Sequence, residues 1–176
     1  MKVKRSTHRN CGCEMNGVSR EEFLAREAEI LERIGHSIRY VSGEYQWKGE
    51  EYPSIYTYGL KKNAGHVELE CVLPIEPKVA MYLINCIADR VKAGEMFECY
   101  EIYQIPELND VPFYFIPSVQ KGSGTPVYRI ILADEKRLLP GEEGCHPIYN
   151  LQPEIGRDDD LNQQIKQTWN LDDLAC

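Results

Sequence analysis

Pro77-Lys-Val-Ala-Met-Tyr-Leu-Ile-Asn-Cys-Ile-Ala-Asp-Arg-Val-Lys-Ala-Gly94 carries the strongest periodic signal in the chain. Proline suits the first turn of a helix, where its missing N–H leaves no bond unmade. Val79, Ala80, Leu83, Ile84, Ile87, Ala88 and Val91 then form one apolar stripe at helical spacing, and Gly94 ends the run. Lys78, Asn85, Asp89, Arg90 and Lys92 take the other side, as in a helix lying on a sheet. What surrounds this helix therefore decides the fold.

On its N-terminal side, Ser54–Leu60 and Val67–Leu73 alternate like strands across a Lys61-Lys-Asn-Ala-Gly65 turn, which predicts a hairpin. His36–Val41 alternates as well and reads as a first strand, followed by a polar loop through Gly43 and Gly49. Before it, Ser19-Arg-Glu-Glu22 is a capping box, and Phe23, Leu24, Ala28, Leu31 and Ile34 share a face up to the Gly35 stop. A helix over about 20–34 follows.

On the C-terminal side, Phe97–Ile105, Val111–Val119 and Val127–Ala133 are rich in aromatic and β-branched residues, broken by Pro106, Pro112 and Pro117. Three more strands are expected there, some at edges. The predicted class is α+β: a mostly antiparallel sheet of about five to six strands, two main helices packed on one face, and a C-terminal extension. Residues 1–150 form the single domain, and 151–176 an acidic extension in which Leu161, Ile165 and Trp169 fall at i, i+4 and i+8. That spacing makes a short helix, either docking on the body or on a partner, or loosely packed as chain ends often are.

The net charge of −8 argues against general affinity for nucleic acid polymers. The charge is unevenly spread. Lys2, Lys4, Arg5 and Arg9 form a basic arm, and Glu154, Asp158, Asp159, Asp160, Asp172 and Asp173 an acidic tail, a pattern that admits a homo-oligomer, although such ends are more often simply solvated. No apolar run long enough to span a bilayer is present and no secretory pattern opens the chain, so a cytoplasmic protein without membrane contact is expected. Seven cysteines at irregular spacing then read as reduced thiols.

Several segments fall into one ordered pattern: a Cys-rich start, a helix, a strand, Tyr56-Thr-Tyr-Gly-Leu60, Gly65-His-Val-Glu-Leu69, the long helix ending Ala93-Gly94-Glu95, Ile131-Leu-Ala-Asp134 and Leu139-Pro140. Over residues 10–146 this succession resembles the bacterial domain-of-unknown-function family 4262. The chain departs from it at Gly141, where the family tends to place an aromatic residue, and before Val127, where the stretch is too short for a helix. The resemblance implies no particular chemistry.

Tyr56, Thr57, Tyr58, Gly59, His66 and Glu68 are the leading site candidates, because two strands and a glycine-containing turn bring hydroxyl, imidazole and carboxylate groups together. The competing reading is that the tyrosines pack and the polar groups serve the turn. Trp47 offers a ring for stacking, and Lys61 a charge. Cys11 and Cys13, with His8 nearby and Cys145-His146 far along the chain, offer thiolate and imidazole ligands for zinc, against a simpler reading as inert thiols. No cofactor is required by this reading, and zinc is a possible one.

Three functions fit. The first is a module that binds a small nucleotide-like molecule without catalysis, for example a phage anti-defence product sequestering an immune signalling nucleotide. The second is a hydrolase or transferase in which His66 acts as base and Glu68 holds its tautomer, with or without a metal. The third is an adaptor that binds a protein through the acidic tail. The absence of a recognisable catalytic motif ranks the binding module first and leaves an enzyme as the less favoured alternative.

Overall fold

A computed structural model describes residues 18–170. Its elements, in chain order, are α1 (Arg20–Ile34), β1 (Ser37–Trp47), β2 (Glu50–Tyr58), α2 (Leu60–Ala64), β3 (Glu68–Cys71), α3 (Pro77–Lys92), β4 (Phe113–Val119), β5 (Pro126–Leu132), α4 (Pro147–Asn150) and α5 (Asp159–Trp169). The fold is α+β, built on one five-stranded sheet in the order β1-β2-β3-β5-β4. Three of the pairings are antiparallel, and β3 with β5 is parallel. No helix among the described residues is long and apolar enough to cross a membrane.

The local signals behave as the chemistry requires. Ser19 and Glu22 exchange both capping-box hydrogen bonds, at 3.2 and 2.9 Å, and Gly35 closes α1 in the left-handed region. Helix α3 buries Ala80, Leu83, Ile84, Ile87, Ala88 and Val91 against Ile55, Leu69, Cys71, Phe113, Phe115 and Ile130, forming the main core on one face of the sheet.

Four features differ from the expected layout. Strand β1 runs on past a bulge between Val41 and Tyr45, and the polar loop shrinks to a two-residue turn. Lys48 and Gly49 there both have positive φ, the conformation that matches the twist of a hairpin. The Lys61–Gly65 turn is a helical one, α2, although β2 and β3 pair across it as foreseen. Phe97–Ile105 is no regular strand: it makes isolated bridges at Cys99↔Phe115 and Tyr103↔Phe113, and Ile102 stays exposed.

The fourth difference concerns the faces. Glu27 of α1 binds Ser37 and Arg39, and Arg39 pairs with Tyr56 across the sheet, on the side away from α3. Helix α1 therefore lies opposite α3. Its expected apolar face is largely uncovered, with Phe23, Leu24 and Ile34 exposed. The segment after Asn150 covers the rest of that side. Ile155, Leu161 and Ile165 join Tyr45, Tyr52, Val72 and Val119 in a second core.

That second core encloses an ion pair. Arg129 Nε donates to Glu70 at 3.0 Å with both side chains fully buried, while Tyr45 and Ser54 hydroxyls donate to the same carboxylate at 2.7 and 2.8 Å. Arg129 Nη1 also donates to the Ile155 carbonyl at 2.6 Å, so the pair holds the C-terminal segment in place.

Candidate functional site

The β2–α2 corner is built around Glu68. Gly59 takes φ 96° to turn the chain, and the first amides of α2 then point at the Glu68 side chain. The carboxylate accepts from Thr57 Oγ1 at 2.6 Å and from the amides of Gly59, Leu60 and Lys61 at 3.0, 3.2 and 3.2 Å. Thr57 Oγ1 in turn accepts the Leu69 amide at 2.9 Å, tying the corner to β3. Leu31 of α1 packs so closely on Gly59 that a Cβ there would overlap it.

Around this corner lies a cleft of about 700 Å³ lined by Ala28, Leu31 and Glu32 of α1 and by Tyr58, Gly59, Lys61, Lys62, Asn63 and Glu68. Tyr58 is 43% exposed, and the Arg39 guanidinium sits 4.0 Å from the centroid of its ring. Arg39 is oriented by Glu27, whose carboxyl it holds below the ordinary carboxylate value. Lys61 and Lys62 are exposed at the cleft.

Of the candidates, Tyr58, Gly59, Lys61 and Glu68 line this cleft, and Thr57 supports it from below. Tyr56 is buried on the Arg39 and Glu70 side of the sheet. Trp47 is at the far end of the β1–β2 hairpin, packed against the second core, and does not line the cleft at Tyr58. Leu31, Lys62, Asn63 and Arg39 were not among the expected residues. The lysine pair Lys61-Lys62 was visible as a signal, but the approach of α1 is a tertiary contact that no local pattern encodes.

His66 and Glu68 are not hydrogen-bonded to each other. His66 Nδ1 lies 2.7 Å from the Val67 carbonyl, which sets the tautomer, and the Glu68 carboxylate is taken up by its four donors. Burial pushes the imidazoles of both His36 and His66 below the ordinary 6.5. Their neutral forms thus stabilise the fold fully above that value, and the contribution is lost as pH falls, because the unfolded chain then binds more protons. Urea midpoints measured from about pH 7.5 down to about pH 5 are expected to fall, and to fall less in His66→Phe.

Cys11, Cys13 and His8 lie outside the described residues. Cys145 is buried with its thiol donating to the Leu138 carbonyl, and burial raises its pKa, so it is held as a thiol. His146 Nδ1 accepts the Ile148 amide and caps α4. Among the described residues no group of three or more His, Cys, Asp or Glu side chains is placed to hold a metal ion.

Replacing Glu68 by alanine leaves four donors facing a cavity and is expected to cost about 2–3 kcal/mol, read as a lower urea midpoint. An unchanged midpoint would mean that the corner does not depend on this carboxylate. No protein-family model, curated protein or solved structure matches this chain.

Proposed function

We propose that the cleft between α1 and the β2–α2 corner binds a small anionic molecule with a planar ring, of the nucleotide type, and holds it without transforming it. One observation carries this reading: the half-exposed Tyr58 ring, backed by Arg39, shares a cleft of about 700 Å³ with Lys61 and Lys62. Tyr58 and the adjoining Leu31 offer an apolar surface to a ring, and the two lysines offer charge to phosphate oxygens. Glu32 and Asn63 stand beside them as partners for hydroxyl groups.

Binding without turnover agrees with the chemistry of the corner. Glu68, the one carboxylate at the base of the cleft, is engaged in holding the backbone, and His66 is oriented by Val67 rather than by Glu68. A protein of this kind acts by sequestering its ligand. The adaptor reading loses its apolar stripe, because Leu161 and Ile165 are buried and Trp169 donates to the Ser118 carbonyl.

The test is a thermal-shift screen with mono-, di- and cyclic nucleotides. A binder at a hundredfold excess over its Kd is expected to raise Tm by roughly 5–10 °C, and Lys61→Glu/Lys62→Glu to abolish the rise. A panel with no shift, or a shift that survives both substitutions, would remove the reading.

A further inference from the structure

We propose, resting on the nucleotide reading of the Tyr58 cleft, that its ligand is a ribonucleotide with both sugar hydroxyls free, and that Glu32 and Asn63 select it by accepting hydrogen bonds from the 2′-OH and 3′-OH. The starting point is a mismatch of charge. Glu32 lines a cleft in which Lys61 and Lys62 offer charge to an anion. A carboxylate beside a bound anion weakens its binding, unless donors of the ligand occupy that carboxylate. Glu32 is exposed, and none of the ion pairs among the described residues includes it. Its oxygens are open to a ligand.

Asn63 supplies the second acceptor. Its Nδ2 donates to the Gly35 carbonyl at 2.7 Å, and because a carbonyl can only accept, this contact fixes which end of the amide is which. Oδ1 is then the end left over for the cleft. The other acceptors there are in use: Glu68 receives its four donors, and the Gly59 carbonyl receives the Asn63 amide. The open polar groups are therefore the acceptors Glu32 and Asn63 Oδ1, the two ammonium donors, and the Tyr58 hydroxyl, which can act either way.

Position assigns the two acceptors to the sugar. Arg39 sits on the Tyr58 ring and does not itself line the cleft, so the remaining ring surface is left to a base, while the lysines take phosphate. The sugar links base to phosphate, and Asn63 spans the same interval. Its Nδ2 lies 3.7 Å from a Cβ built on Gly59, the residue after Tyr58, and its backbone follows Lys62. Glu32 follows Leu31, whose side chain packs on that same Gly59. A ribose presents two adjacent hydroxyl donors, and an acidic side chain taking a ribose hydroxyl is the usual device of dinucleotide sites. A 3′ oxygen tied into a phosphodiester loses one of the two bonds, so free mononucleotides are favoured over 3′,5′-cyclic ones.

The probes are ADP, GDP and UDP, each with its 2′-deoxy form, and 3′-deoxy-ADP, titrated by calorimetry into the full chain and into Glu32→Ala. Glu32 is exposed and unpaired, so the variant is expected to fold as the parent does. For each base that binds, the ribonucleotide is expected to bind at least about tenfold tighter than its deoxy form. Glu32→Ala is expected to bring the two together without weakening the deoxy form. Equal binding of ribo and deoxy forms, or a difference that survives Glu32→Ala, would overturn the proposal and leave binding in the cleft standing. A preference for GDP that Glu32→Ala abolishes, with no discrimination at the sugar, would assign Glu32 to the base edge and equally overturn it. No binding of any probe would remove the nucleotide reading as well.

Discussion

Replacing Arg129 by methionine is expected to destabilise the protein by about 3–5 kcal/mol, the largest single effect the structure implies. The substitution leaves Glu70 fully buried with only the Tyr45 and Ser54 hydroxyls as donors, and removes the donor that holds the Ile155 carbonyl. Burying an ion pair is costly, but it is breaking the pair that does the damage, since the remaining charge has neither water nor a counterion. The double variant Arg129→Met/Glu70→Gln is therefore expected to regain much of the loss. Urea unfolding of the two variants measures this. A double variant no more stable than Arg129→Met would show that the C-terminal contacts, and not the buried charge, dominate.

Gly156→Ala is expected to cost about 2–4 kcal/mol through a different route. Gly156 has φ 70°, and a Cβ built there overlaps the ring of Tyr45, which is fully buried. Neither partner can yield cheaply: the backbone turns there to deliver the Ile155 carbonyl to Arg129, and Tyr45 is fixed by its bond to Glu70. Next to it, Arg157 Nη2 donates to the Pro117 carbonyl at 2.6 Å, and Trp169 Nε1 to Ser118 at 2.9 Å. The strain falls on the joint that attaches the C-terminal segment. Faster amide exchange concentrated in residues 155–169 is the expected signature, and uniform loss of protection across α3 would contradict it.

Both predictions rest on residues that the sequence shows poorly. The capping box at Ser19 and the Pro77 helix were legible because their signals are local: a hydroxyl and a carboxylate three residues apart, a stripe at helical spacing. Glu70 and Arg129 each interrupt an apolar strand and resemble ordinary surface charges until the parallel pairing of β3 and β5 sets them opposite one another. That pairing spans 59 residues of chain, and no local pattern reports it. The turn at Lys48-Gly49 was hidden for a smaller reason: lysine in its first position lacks the turn preference of asparagine. Phe97–Ile105 has the composition of a strand, yet Tyr100 takes φ 69°, which breaks the ladder after a single bridge.

The candidate site was legible in part, and for a related reason. Tyr58, Gly59, Lys61 and Glu68 are close in sequence and meet in the cleft. The alternation that suggested them also put His66 in the same group, but α2 inserts a helical turn between β2 and β3, and His66 comes out against Phe97 and Tyr128. The same alternation makes Glu68 the expected partner of that histidine. With Gly59 in the left-handed region, its carboxylate receives the amides of the corner.

The most direct test of the cleft is a backbone amide NMR titration of the full chain with whichever nucleotide gives the largest thermal shift. Saturable shifts confined to residues 58–63 and to the 28–32 stretch of α1, lost in Lys61→Glu/Lys62→Glu, are the expected result. Shifts centred elsewhere, or none at all with any nucleotide of the panel, would contradict a binding function for this corner.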